Sequence, residues 1–198
     1  MMTDIDVLQV ATIVALVLLA VAWYLSYSAS RLDRLHAKVE GAVSALDAQL
    51  VRRAEATLEL ATSGAVDPAT SLLLADAASE ALERHTHHPL SHDLLDGQTF
   101  AGREGTETNL TEALRAVLVE DTVQSLRSDP DSPGALALAR VESTALRVQL
   151  ARRFHNDAVR EVRRVRAKGA VRVFRLAGHA ALPHAVDFDD ELPPSVVD

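Results

Sequence analysis

Residues 7–27, VLQVATIVALVLLAVAWYLSY, run for 21 positions without a charged side chain. Wound as a helix at 1.5 Å per residue, the stretch is about 31 Å long, the thickness of a bilayer's hydrocarbon core. A secretory signal would begin with basic residues and carry a shorter apolar run of roughly 7–15 residues. This chain opens Met1-Met2-Thr3-Asp4-Ile5-Asp6 instead, so a retained single-pass anchor is the expectation. Only acids precede the span, while Arg31, Arg34 and Lys38 lie just beyond it. The positive-inside bias therefore places residues 1–6 outside and the body of the chain in the cytoplasm. Trp23, Tyr24 and Tyr27 fall at the inner membrane interface, where amphipathic rings settle.

Composition restricts the fold of the chain beyond the span. Aromatics make up 4% of the 198 residues and cysteine is absent, which disfavours a sandwich or barrel and excludes disulfides and every thiol-based site. The abundance of Ala and Leu favours helices. The expected fold is all-α: a transmembrane helix at 7–27, then an antiparallel up-down four-helix bundle over 28–168 with two long and two short helices.

Apolar or small residues recur at Leu32, Leu35, Val39, Val43, Leu46, Leu50, Ala54, Leu58 and Ala61, close to the 3.6-residue helical period. They predict a first helix at about 28–63 that stops at Gly64. Asp67-Pro68 reads as a cap followed by proline at the first helical position, opening a helix over 68–84. Residues 85–108 are polar, contain three glycines and show no period, and read as a mobile loop. Asn109 with Glu112 suggests the start of a third helix, 109–127. The fourth, 134–168, has its stripe at Leu136, Ala139, Ser143, Leu146, Leu150, Phe154, Ala158, Val162 and Val165. Residues 169–198 form a basic amphipathic segment and an acidic tail, the last part of it extended and exposed.

The net charge of -8 argues against a nucleic-acid binder. From Arg140 to Arg175, however, eleven basic residues face three acidic ones. The spacing of Arg160, Arg164, Lys168, Arg172, Arg175 and His179 makes one cationic ribbon on a helix, with apolar area from Val171, Val173, Phe174 and Leu176. An up-down bundle would return this end to the lipid, so Arg164, Lys168, Arg172 and Arg175 are candidate lipid-binding residues.

Catalytic patterns are missing: there is no Walker loop, GxGxxG, HExxH, GxSxG or EF-hand spacing, and neither long helix holds an ExxH pair. No enzyme activity, cofactor or metal is expected. His85, His87, His88 and His92 are the candidates for a metal- or pH-responsive loop, although their spacing matches no closed site. Asp47, Gln49, Arg52 and Arg53 form an exposed polar cluster on the first helix. With Leu32 level with Val165, Arg53 would lie near Glu142 and Ser143, and Asp47 near Arg147 and Gln149.

The segment Val39-Glu40-Gly41-Ala42-Val43-Ser44-Ala45-Leu46-Asp47-Ala48-Gln49-Leu50-Val51-Arg52-Arg53 resembles the VxxAxSxIDVQLKRR segment of the LemA family of bacterial membrane proteins. Ala151-Arg152-Arg153-Phe154-His155-Asn156-Asp157-Ala158-Val159 is similar to that family's ARxxYNxxV stretch. Thr57-Leu58-Glu59-Leu60 stands where the family has a proline-asparagine element, and Glu161-Val162 where it has a second YN pair, as in a divergent member. The resemblance implies long antiparallel helices on one N-terminal anchor in a bacterial inner or plasma membrane, with no established enzymatic activity.

The expected function is a membrane-anchored scaffold that binds a membrane or cytoplasmic protein through Asp47, Gln49, Arg52, Arg53, Arg153, Asn156 and Asp157, with a homo-oligomer as a further arrangement. The alternatives are a lipid organiser and a histidine-loop sensor.

Overall fold

The computed structural model describes residues 2–87, 100, 102–178 and 180–197, and every described element is helical. The first, α1 (Met2–Thr62), is unbroken for 61 residues, about 90 Å. No separate helix starts near residue 28, because residues 2–40 contain neither Gly nor Pro to interrupt the ladder. Its N-terminal half is the one described helix long and apolar enough to cross a membrane, and none of its most apolar window is covered by the rest of the chain. Within it the Thr12 hydroxyl donates to the Leu8 carbonyl at 2.8 Å, so that polar group is satisfied inside the helix.

Helix α1 ends at Gly64, whose φ of 74° suits a residue without Cβ. The Asp67 carboxylate then caps α2 (Pro68–His87), accepting from the amides of Ala69 at 3.0 Å and Thr70 at 3.2 Å. The Thr70 side chain, with those amide bonds, holds the Asp67 carboxyl below the ordinary range. Helix α2 runs three residues past the expected end. The next helix, α3 (Arg103–Val117), starts six residues before Asn109, directly after Gly102 at φ 84°. Arg103, Thr106, Glu107 and Thr111 face inward on it, and a reading that counts apolar side chains passes over them.

The expected third helix is two. Val119 is extended, and the Leu118 carbonyl accepts from the Ser195 hydroxyl at 2.6 Å instead of continuing the helix, so α4 (Glu120–Arg127) begins anew with two acids in its first turn. Ser132 caps α5 (Pro133–Arg166), accepting from the Ala135 amide at 3.2 Å. Two short turns complete the chain, α6 (Gly169–Val173) and α7 (Pro194–Val197).

Helix α5 packs antiparallel along α1, α2 packs on α1, and α3 on α2. Lys38 pairs with Glu161 at 3.0 Å and Glu59 with Arg140 at 2.7 Å, so 21 residues of each helix separate the two bridges and the register does not slip between them. Three buried clusters line this seam: Leu32, Leu35 and Val39 with Val159, Val162, Val165 and Val171; then Val43, Leu46 and Leu50 with Val148, Val186 and Phe188; then a distal core that gathers Leu60, Leu74, Leu110, Leu114, Leu118 and Leu138.

The buried side of α5 is the expected one at Ala158, Val162 and Val165 but not before them. Leu136, Leu146, Leu150 and Phe154 are each more than half exposed, and Gly134, Ala137, Leu138, Val141, Ala145 and Val148 meet the core instead. Small residues let α1 and its neighbours approach closely, which a search for large apolar side chains does not favour. At Gly134 a Cβ would collide with that of Ala65 and lie 3.0 Å from Leu126 Cδ2. Gly134→Ala should therefore cost about 1–3 kcal/mol. Gly41→Ala, in open space on the exposed side of α1, should gain about 0.5–1 kcal/mol. Urea unfolding of the two variants reads both signs.

Candidate functional site

Buried positions on α1 follow a four-three alternation, Leu32, His36, Val39, Val43, Leu46, Leu50, Arg53, Thr57 and Leu60, the spacing of a coiled-coil seam. Helix α5 answers with Gly134, Leu138, Val141, Ala145, Val148, Arg152, His155, Val159, Val162 and Arg166, of which only Arg152 and Arg166 keep partial exposure. Both helices thus place polar side chains in an apolar seam, and each such group needs a partner.

Arg53, expected on the surface as a partner-binding residue, is 1% exposed. Its guanidinium donates to Glu107 Oε2 at 2.7 Å, the Glu107 carbonyl at 3.1 Å and Thr111 Oγ1 at 3.1 Å, with the Phe188 ring 5.9 Å away. Its partners lie on α3 rather than at Glu142 and Ser143, because the seam turns its side chain inward at this position. Asp47 is likewise engaged inside the fold, at 2.6 Å from Arg103 Nη2 and 3.2 Å from His85 Nδ1, not with Arg147. Gln49 is half-buried.

Residues 180–193 are extended but docked on the helices, which corrects the expected free tail. Val186, Phe188 and Asp190 point inward at every second position, the alternation of an extended chain. Asn156 clamps the backbone of Val186 twice, donating to its carbonyl and accepting from its amide, both at 2.9 Å. Arg152 holds the buried Asp190 carboxylate in a fork at 2.7 and 2.8 Å, and Gln149 donates to the Asp190 carbonyl at 2.8 Å. On α3, Arg115 grips Asp189 at 2.5 and 2.6 Å, which holds that carboxyl below the usual carboxylate range. Arg163 and Arg166 donate to the carbonyls of Pro183, Ala181 and Ala180. Asn156 is therefore occupied by the chain's own tail.

The candidates that remain accessible are Arg52, Arg153 and Asp157. Arg52 lines an open groove of about 520 Å³ with Glu55, Glu59, Arg140 and Arg147. Asp157 pairs with Arg160. Arg164, Lys168, Arg172 and Arg175 are exposed at the end where α1 leaves its apolar half, but the helical ribbon breaks: α5 stops at Arg166, Lys168 is extended and Arg175 has φ 49°. His179 lies outside the described residues. Trp23 and Tyr27 stack at 6.3 Å on the exposed surface of α1, beside the exposed Tyr24.

Of the histidine group, His85 contacts Asp47 and His87 is exposed, while His88 and His92 lie outside the described residues. No group of three or more metal-ligating side chains converges among the described residues. Arg103, Glu107, Thr111, Arg115, Asp189 and Asp190 do not stand out in the sequence. The signal that points toward them is the four-three spacing itself, which carries Leu46 and Leu50 onward to Arg53 and Thr57 as well as to the buried Ala54. No protein-family model, curated protein or solved structure matches the chain.

His155 donates from Nε2 to the His184 carbonyl at 3.2 Å and has its other nitrogen buried without a partner. Burial, opposed by that bond, holds it below the ordinary imidazole value. His36 is lowered by burial and by Arg166, against Asp33 and Glu40. Unfolded histidine titrates near 6.5, so in the window just below that the unfolded chain binds more protons and stability rises with pH. Melting temperature should fall on acidification from about pH 7.5 to 5.5, and His155→Gln should flatten the slope. Arg53→Ala, which strands the buried Glu107 carboxylate, should cost about 3–5 kcal/mol, whereas the Arg53→Met, Glu107→Leu double variant should recover most of it. Chemical denaturation of the single and double variants checks this.

Proposed function

We propose that the protein is a non-enzymatic, membrane-anchored helical scaffold that holds its bundle at the cytoplasmic face of a membrane and binds a protein partner there. The observation that carries this reading is α1. Its apolar half is uncovered by the chain, and the same helix continues without a break into the seam. A soluble core helix would be covered. Cations at Arg31, Arg34 and Lys38 beyond the span support a cytoplasmic body, and the stacked Trp23 and Tyr27 suit an interface.

In this reading the helices form an antiparallel four-helix bundle in which α3 and α4 count as one interrupted helix. The LemA resemblance supports the same architecture. The partner surface is the open side of α1 and α5, the groove that Arg52 and Arg147 line together with the exposed Leu150, Arg153 and Phe154 further along α5. Arg53 stays behind it as a structural residue.

A second reading, lipid organisation, draws on Arg31, Arg160, Arg164 and Lys168 gathering around one cleft at the membrane-facing end, beside the exposed Arg172, Val173 and Phe174. Each cation near an anionic surface adds about 1 kcal/mol.

In-cell crosslinking of the full-length chain separates the two. Arg52→Glu with Arg153→Glu should lose captured protein while helicity by circular dichroism stays unchanged. Capture unaffected by that pair, together with detachment of the bundle from anionic vesicles on Arg164→Glu with Lys168→Glu, would favour lipid.

A further inference from the structure

We propose that the partner on the open side of α5 is a second copy of this chain, which inserts the outer side of its α2, so that anchored copies associate side by side and head to tail. The proposal rests on the reading of α1 as a membrane anchor, because the anchor holds all copies parallel.

The receiving side is apolar with a cationic border. Leu136, Leu146, Leu150 and Phe154 are 53%, 55%, 52% and 59% exposed, and Leu146, Leu150 and Phe154 succeed each other at four-residue steps along one helical stripe. Arg147 and Arg153 flank them, and neither makes an ion pair among the described residues. Helix α2 offers the complement. Its outer side exposes Leu72 and Leu73, then Asp76, Ser79, Glu80 and Glu83, and those three acids also make no ion pair among the described residues.

The heights agree. His85 sits against Asp47, and Arg140 against Glu59. Since α2 and α5 both run opposite to α1, Glu80 and Arg147 each come level with Arg52, as do Ser79 and Leu146 with Arg53. Leu73 comes level with Arg140, and Glu83 with Leu150. Copies standing on one membrane thus present the acid Glu80 and the base Arg147 at the same distance from it.

Sign excludes the symmetric alternatives. Two parallel α5 helices would set Arg147 and Arg153 against their own counterparts, and two α2 helices would do the same with Asp76, Glu80 and Glu83. Like charges across a contact are costly, and only α2 against α5 joins opposite signs. One copy carries both surfaces, on different neighbours of α1, so the contact is heterologous and either closes into a ring about the membrane normal or extends along the membrane plane. Confinement to two dimensions raises the effective concentration that this moderate surface needs.

Absence of native cysteine makes the test clean. Full-length Ser79→Cys, Leu146→Cys and the double variant are oxidised in their native membranes. The double variant should form a ladder of dimers, trimers and higher species, each single variant should stay monomeric, and the two singles co-expressed should stop at dimers. Adding Arg147→Glu to the double variant should cut crosslinking about tenfold, and Glu80→Arg with Arg147→Glu should restore it. Dimers from Leu146→Cys alone would mean that α5 meets α5, and crosslinks only to a different protein would leave the scaffold reading standing; either overturns the proposal, as does no crosslink at all. Carbonate extraction of the same membranes separates the failures: a chain that leaves the membrane refutes the anchor, and this proposal with it.

Discussion

One helix carries two kinds of surface. The N-terminal half of α1 carries an uncovered apolar surface, and its C-terminal half carries a seam of inward residues at four-three spacing. An isolated helix with such a stripe would not keep it in water. The rest of the chain is arranged by the need to cover it: α5 along its length, and α2 with α3 at the distal half. The small residues Gly134, Ala137 and Ala145 let the elements at α5 come close enough to exclude water.

The seam is not purely apolar, and its polar members decide what else must fold. Arg53 requires Glu107 and Thr111, which ties α3 to α1 across a dry interior. Arg152 requires Asp190, which pulls the C-terminal strap over α5, and Phe188 then lies 5.9 Å from one guanidinium and 5.5 Å from the other. Buried ion pairs contribute little net stability once desolvation is counted, but breaking one is costly. Their place here is to define one alignment of helices that leucine and alanine alone would leave open to sliding.

Much of the architecture was legible because helix periodicity and punctuation are local. Gly64 and Asp67-Pro68 mark ends that match the structure within a residue or two, and the absence of a break near residue 28 follows from a stretch, 2–40, without Gly or Pro. The misreadings share one physical cause. Counting large apolar residues favoured Leu136, Leu146, Leu150 and Phe154 over a seam built from small ones, and left Arg53 on the surface although it is as buried as its neighbour Ala54. A charged side chain reads as solvated unless its partner is known, and Glu107, more than fifty residues away on α3, is invisible to local spacing. The strap was hidden for the same reason: its docking depends on Asn156, Arg152 and Arg115, all distant in sequence. Two segments that carry the LemA resemblance turn out to supply internal clamps, through Asp47, Arg53 and Asn156.

The central claim is mechanical as well as chemical: α1 is one continuous rod, so in the proposed anchored state the exposed side of α5 is held at a set height and orientation above the membrane. Amide hydrogen exchange of the full-length protein in lipid nanodiscs, resolved across residues 24–40, tests this directly. Protection that continues without a gap from the apolar half of α1 into the seam is the result the account requires. A rapidly exchanging hinge between Tyr27 and Leu35 would contradict it, leaving a tethered bundle free to reorient.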